Sequence, residues 1–346
     1  MSNIFFIAEA GVNHNGSEEL ALQLVETAAK CGADAVKFQT FTADKLVRKG
    51  AEKAAYQKAA TGDGDQYSML KQLEMSPDLH KTLIKRCAEL NIEFMSTPFD
   101  EDAADFLLSL GMRRIKVPSG EITNTPFLRF LAAKNVPLIV SSGMATLAEV
   151  EQAVAVIAQE RTACGLDKPL GDVLTLLHCT SNYPASPVDV NLLAMRTMAH
   201  ATGLPVGYSD HTLGLAVSTA AVALGATVIE KHFTLDKGLP GPDHPASLDP
   251  IELAELVAQV RAAEQALGSA IKAPVPSELP VRELVRRSVC LAKDVEAGMP
   301  LTSKDLCLLR PGTGIAPKDF DAVIGRSLVR SMSAGSALAW ADLVVP

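Results

Sequence analysis

Short β-branched runs alternate with longer amphipathic ones along most of the chain. The apolar stretches at residues 4–8, 34–39, 92–96, 113–117, 137–141, 173–178, 205–208 and 227–231 predict eight strands. Helical periodicity fills several gaps between them, at 18–31, 77–90, 102–110, 147–159 and 213–224, and a final helix is predicted over 250–267. Ser17, Ser76 and Thr146 stand at helix starts as N-caps, and Gly32, Gly111 and Gly225 stand where helices should stop. Strand–helix alternation argues a parallel sheet. Eight such units within about 267 residues favour a closed (β/α)₈ TIM barrel over an open doubly wound sheet. The rhythm breaks over 268–285, where Pro274, Pro276 and Pro280 mark a linker. Short apolar runs, glycines at 298, 312, 314, 325 and 335 and little helix signal over 286–346 predict a small β-rich module.

Composition narrows the function classes. The 346 residues carry 48% hydrophobic and 21% charged positions and a net charge of −8, an ordinary globular balance that disfavours duplex nucleic acid as a partner. Residues 286–346 alone hold eight basic and six acidic side chains, so the small module is net positive. Six scattered cysteines without a C-x-x-C pair fit a reducing compartment rather than a disulfide scaffold. The apolar run at 4–8 is too short for a signal peptide, and the 18 uncharged residues 212–229 read better as helix plus strand than as a membrane span. A cytoplasmic protein is expected.

A barrel of this kind builds its active site at the C-terminal ends of its strands. Those ends read A-E-A-G-V-N-H-N-G (8–16), K-F-Q-T (37–40), S-T-P-F (96–99), K-V-P-S-G-E (116–121), S-S-G-M (141–144), H-C-T-S-N-Y-P (178–184), G-Y-S-D-H-T (207–212) and E-K-H-F-T (230–234), followed by G-P-D-H (241–244). Core packing does not explain polar groups at all eight ends. His211 and His232 end adjacent strands, where two imidazoles suit a divalent ion. His14, His178 and His244 fall on the same rim, so that ligand choice is not unique, whereas His80 and His200 read as surface residues on helices. Lys37 and Lys116, with the Ser119 and Ser141 segments, suit an anion, although no P-loop is present. A Schiff-base role for Lys37, Lys116 or Lys231 stays open. Glu9 and Glu121 are candidate acids or bases.

Taken together and in order, these segments resemble the N-acetylneuraminate (sialic acid) synthase family, and the resemblance covers nearly the whole chain. The tail, with R-S-V (287–289), K-D (293–294) and L-R-P-G-T-G (309–314), is similar to the antifreeze-like (SAF) domain of those synthases. The resemblance implies condensation of phosphoenolpyruvate with an N-acetylated aldose and water, giving a nine-carbon 2-keto acid and phosphate. It implies Mn²⁺, or Mg²⁺ or Co²⁺, on His211 and His232, acting as a Lewis acid on the open-chain aldehyde oxygen. Lys37, Lys116, Ser119, Ser141 and Ser209 match positions for the carboxylate and phosphate. Gln39, Tyr183 and Asp243 match positions that contact the sugar, and Thr97 and Ser181 are further hydroxyls expected at the substrate site. Glu9 and Glu121 match acidic positions that orient water or move protons. Arg310 matches an arginine by which the small domain caps the partner's barrel in a domain-swapped homodimer; an extended linker over 268–283 spans up to roughly 55 Å.

The leading substrate on this reading is N-acetylmannosamine, giving N-acetylneuraminate. A legionaminic or pseudaminic acid synthase acting on a 6-deoxy-diamino-hexose is the alternative, and the H-x-x-S-L-D run at 244–249 looks more like the sialic and legionaminic branches. More remote are a 3-deoxy-sugar-acid synthase using a phosphorylated aldose and a non-enzymatic sugar or ice binder. The charged tail speaks against the binder.

Overall fold

The computed structural model describes residues 4–344. Its eight parallel strands are β1 (Phe5–Gly11), β2 (Ala35–Thr40), β3 (Glu93–Pro98), β4 (Ile115–Val117), β5 (Leu138–Ser141), β6 (Leu174–Cys179), β7 (Val206–Asp210) and β8 (Val228–His232). The first strand pairs with both the second and the eighth, and β3 lies against β4, so the sheet curls into a TIM barrel. Helices coat the outside, and the expected caps are made: Ser17, Ser76 and Thr146 accept from the backbone amides of Leu20, Leu79 and Glu149. The last barrel helix spans Pro250–Leu267.

Two-residue alternation along the strands decides what the barrel holds. Ile7, Ala35, Met95, Ile139, Leu177 and Val228 form one apolar cluster. Two residues further along the same strands stand Glu9, Lys37, Thr97, Ser141, Cys179 and Glu230, and these line a cavity. The lower barrel is thus plugged by apolar side chains, and the chemistry sits on that plug. Intervening residues such as Phe6, Val36, Val140, Leu176 and Ile229 belong to the larger core shared with the helices.

Residues 42–76, between β2 and the helix Pro77–Glu89, carry three short helices, Ala43–Leu46, Ala55–Thr61 and Gln66–Lys71. Periodicity does not single them out. They are anchored by a separate apolar cluster of Val12, Phe41, Met69 and Leu73. His80 corrects the surface assignment: it is 1% exposed, on the buried stripe with Leu83 and Cys87, and its Nε2 lies 2.8 Å from Thr40 Oγ1.

The chain divides into two compact units after Gly268. In the second, β9 (Ser288–Leu291) and β10 (Leu306–Leu309) pair antiparallel over a core that includes Val289, Leu291, Leu301, Val323 and Leu338. The stretch read as linker contains a helix, Leu279–Val285, with Leu279, Val281, Leu284 and Val285 exposed.

Candidate functional site

Four buried charges face one another on the apolar plug. Lys37 Nζ lies 2.5 Å from Glu9 Oε2 and 3.6 Å from Glu230 Oε2, and Lys116 Nζ lies 3.3 Å from Glu230 Oε1. Lys37 also donates to Thr97 Oγ1 at 2.9 Å, and Ser209 Oγ donates to Glu230 Oε1 at 2.8 Å. Burial alone would raise both carboxyls. It prevails at Glu9, which is pushed up to about 7, with the Glu230 charge adding to the rise. At Glu230 the charges of Lys116 and Lys37 outweigh burial and bring it down to about 2. One carboxylate is therefore firmly ionised and the other is poised to exchange a proton near neutrality.

Glu230 is the residue that sequence reasoning misses, although its signal is present: it has the inward parity of Val228 and His232 on β8. Lys231 has the opposite parity. Its ammonium is bound to Asp210 Oδ2 at 2.8 Å and to the Thr212 carbonyl, away from the cavity. That placement removes it as a Schiff-base lysine. Lys37 does not suit that role either, because the neighbouring carboxylates outweigh burial and hold its ammonium above the ordinary range.

Above this layer stand the two histidines. The rings of His211 and His232 lie 5.6 Å apart, centroid to centroid. His211 Nδ1 lies 2.7 Å from the Thr180 carbonyl; because a carbonyl accepts only, that nitrogen carries the proton and Nε2 keeps its lone pair. His232 Nδ1 is buried and has no hydrogen-bond partner among the described residues. Burial pushes His211 down to about 4 and His232 well below its ordinary value, so both are neutral at pH 7. Neutral imidazoles, one oriented by a carbonyl and one with an orphaned nitrogen, fit a divalent ion. No group of three His, Cys, Asp or Glu side chains among the described residues makes a closed cage, so other ligands would come from water or substrate.

The other rim histidines fasten loops. His178 Nε2 lies 2.6 Å from the Val190 carbonyl, His244 lies between Thr234 Oγ1 and Asn15 Oδ1, and His14 Nδ1 accepts from the Gly16 amide. Two glycines make room at the rim. At Gly11 β1 bulges with φ +53°, and a Cβ there would lie 3.4 Å from both Glu9 Oε1 and the His232 ring. At Gly143, φ +47°, a Cβ would fall within 2.7 Å of the hydroxyls of Ser119 and Ser181, which themselves lie 3.0 Å apart.

The cavity brings together Glu9, Lys37, Gln39, Thr97, Lys116, Ser119, Ser141, Tyr183, Ser209, His211 and His232, with Glu230 and Cys179 added. Ser141 Oγ is buried in this cavity, beside Cys179. Tyr183 packs on His211 with ring centroids 4.2 Å apart and stacks at 5.1 Å on Tyr56, brought in by the helix Ala55–Thr61. Tyr56 gives no signal in the sequence, because its position depends wholly on the fold of residues 42–76. Asp243 is buried close enough for its charge to act on both tyrosines, and burial raises it to about 6. Glu121 is not among the lining residues; Asn124 Nδ2 donates to its carboxylate at 2.6 Å. Arg310 is exposed in the second unit, just after β10. A larger cavity of about 480 Å³, lined by Cys87, Phe94 and Met112, lies against the start of β3 and gathers no comparable set of charges.

The NeuB family model matches residues 24–272, and the SAF domain model matches residues 286–344. This chain belongs to the NeuB family. It is a phosphoenolpyruvate-dependent condensing synthase of that family, with a C-terminal SAF domain. It is 56% identical over 97% of its length to the N,N′-diacetyllegionaminic acid synthase of Legionella pneumophila, of which 93% is covered. Identity to the synthase of the same name from Campylobacter jejuni is 46%, over 94% of this chain and 96% of that one. The crystal structure of N-acetylneuraminic acid (sialic acid) synthetase from Leptospira borgpetersenii, in complex with citrate, aligns with TM-score 0.71 at 33% identity, over 81% of this chain and 90% of that one. No helix among the described residues is long and apolar enough to cross a membrane.

Proposed function

We propose that this NeuB-family enzyme joins phosphoenolpyruvate to an N,N′-diacetylated 6-deoxy-diamino-hexose, in its open-chain form, to give an N,N′-diacetyllegionaminic acid and phosphate. The observation that carries this reading is the pair of synthases so named, at markedly higher identity than the structure named for sialic acid. N-acetylmannosamine, the leading substrate from the sequence, becomes the alternative.

The chain's own residues account for the chemistry as follows. The carboxylate and phosphate of phosphoenolpyruvate are held by Lys37 and Lys116, with the Ser119, Ser141 and Ser209 hydroxyls beside them. An incoming trianion competes with Glu9 and Glu230 for the two ammonium groups and frees the Glu9 carboxylate, poised near neutrality, to work as a base. The sugar lies toward Gln39, Tyr183, Ser181 and Asp243, with Tyr56 behind Tyr183. The enol carbon attacks the aldehyde carbon, forming the C–C bond; water adds to the resulting cationic carbon, and the C–O bond to phosphate breaks. Glu9 orients that water, takes its proton and returns one to the alkoxide formed from the aldehyde, and the proton of the new hydroxyl leaves with phosphate as the ketone forms. A divalent ion, Mn²⁺ in first place, would be held by His211 and His232 and would polarise the aldehyde oxygen.

The test is phosphate release from phosphoenolpyruvate with the diamino sugar, N-acetylmannosamine and phosphorylated aldoses in parallel. The expected kcat/KM for the diamino sugar exceeds the others by about 100-fold or more, since a site built to bond a polar substituent rejects an analogue lacking it. Preference for N-acetylmannosamine overturns the proposal.

The same reading places the SAF domain of a second copy over the barrel mouth. Its support is the exposed apolar surface at Met144, Val188, Leu193 and Leu213 on the rim loops and at Val281 and Leu284 on the helix before the SAF domain, surface that a second copy would cover. Arg310→Ala is expected to lower kcat/KM about 10²-fold with the fold intact, the effect of removing one charge-assisted hydrogen bond to the sugar. Unchanged kcat/KM removes Arg310 from the site.

A further inference from the structure

Strands β7 and β8 run side by side with Ser209 opposite Glu230 and Asp210 opposite Lys231. Ser209 and Glu230 face the cavity, with His211 and His232 above them. Asp210 and Lys231, of opposite parity, are turned away and form an ion pair of 2.8 Å that is 1% exposed at Lys231 and closed to solvent at Asp210. Both partners make further hydrogen bonds. Asp210 Oδ2 also accepts from Ser218 Oγ at 2.6 Å, and Oδ1 accepts from both the amide and the hydroxyl of Thr212 at 2.8 Å. Lys231 Nζ donates as well to the Thr212 carbonyl at 2.5 Å.

This network grips the residues on both sides of His211 and the residue just before His232. Two further hydrogen bonds hold His211 itself, Nδ1 against the Thr180 carbonyl and its own carbonyl accepting from the Ala185 amide. A buried ion pair is a poor source of stability compared with apolar packing, and its best-attested use is to set register. Here the register in question is that of the two strands carrying the histidines.

We propose that the Asp210–Lys231 pair, with Ser218 and Thr212, is a positioning device: it holds the ends of β7 and β8 so that His211 and His232 present their rings to one divalent ion, and it thereby sets the affinity for that ion. The inference rests on the reading of those histidines as ligands. Asp210, Lys231 and Ser218 are not among the residues lining the cavity.

The experiment titrates metal-free, full-length protein with Mn²⁺ and follows free Mn²⁺ by electron paramagnetic resonance. Wild type and His211→Ala come first: equal binding by both removes the histidine reading itself, and with it this inference. Where His211→Ala loses binding, the double variant Asp210→Asn/Lys231→Met decides, because it removes both buried charges together. Its Kd for Mn²⁺ is expected to rise about 10- to 100-fold, as for other residues that orient ligands from behind. Raising Mn²⁺ should return kcat toward the wild-type value, and circular dichroism of the metal-free variant should match metal-free wild type, which separates a weakened site from a destabilised fold that bound metal would itself rescue. An unchanged Kd in a folded double variant overturns the proposal. Should that variant fail to fold, Ser218→Ala keeps both charges and removes one bond; a rise of about 2- to 10-fold is expected, and no change overturns the proposal.

Discussion

Replacing Lys116 by methionine is expected to raise the KM for phosphoenolpyruvate by about 10²- to 10³-fold, while the KM for the sugar shifts severalfold at most. Methionine keeps the length and the apolar stem of lysine and removes only the charge. The ammonium it replaces is 4% exposed, on the inward face of β4, 3.3 Å from Glu230 Oε1. Removing a charge-assisted hydrogen bond from such a desolvated site costs about 2–5 kcal/mol, which brackets the expected factor. The fold should survive, because Glu230 is not stranded: Lys37 stands 3.6 Å from it and Ser209 donates to it at 2.8 Å. Initial rates of phosphate release over a range of phosphoenolpyruvate concentrations, at fixed saturating sugar, give the answer. A KM within threefold of wild type would remove Lys116 from the anion site and leave it a packing residue.

The barrel is legible because its strands are apolar on both faces in their first half, and such runs stand out between amphipathic helices. The predicted strands stop one to three residues short at most of their C-terminal ends. Strand β1, for instance, is expected to end at Ala8 and runs to Gly11, and β7 is expected to end at Tyr208 and runs to Asp210. The physical reason is the same each time: the ladder continues into the polar residues of the site, where hydrophobicity no longer marks it. Counting by two from Val228 puts Glu230 and His232 together and excludes Lys231 from the mouth. Motif order alone does not separate those neighbours.

Other features lie beyond any one-dimensional pattern. Tyr56 reaches Tyr183 only because residues 42–76 fold onto their own small apolar cluster. The Asp210–Lys231 pair is 21 residues apart in the chain and becomes adjacent only through the β7–β8 register. His80 is different, since its position on the apolar stripe of a helix is readable and the surface assignment overlooks it: such a histidine is buried when a hydroxyl, here that of Thr40, meets its ring. Net charge misleads in a similar way. A chain at −8 carries an anion site because strand parity places two lysines where the two facing carboxylates are matched against them.

Removal of divalent metal is expected to abolish phosphate release, and added Mn²⁺ to restore it; His211→Ala and His232→Ala should remain inactive whatever Mn²⁺ is added. Solvated imidazoles near neutrality are partly protonated and turn freely, so a metal must compete with protons and pay for ordering the rings. Here neither cost arises in full. Burial keeps both rings neutral at pH 7, the Thr180 carbonyl fixes the His211 tautomer, and Tyr183 packs on the His211 ring at 4.2 Å and edge-on to His232 at 5.7 Å. The orphaned His232 Nδ1 carries the desolvation cost of an unmet buried polar group, about 1–3 kcal/mol, which a ligand at that nitrogen would recover. Chelated enzyme is expected to fall below about 1% of the starting rate, the scale of losing a Lewis acid worth several kcal/mol at a developing alkoxide. Rates in excess chelator, after dialysis and after Mn²⁺ is returned, decide the matter. Full activity in excess chelator would mean that the two histidines serve the sugar directly, as neutral hydrogen-bonding groups, and that the aldehyde is activated by the protein alone.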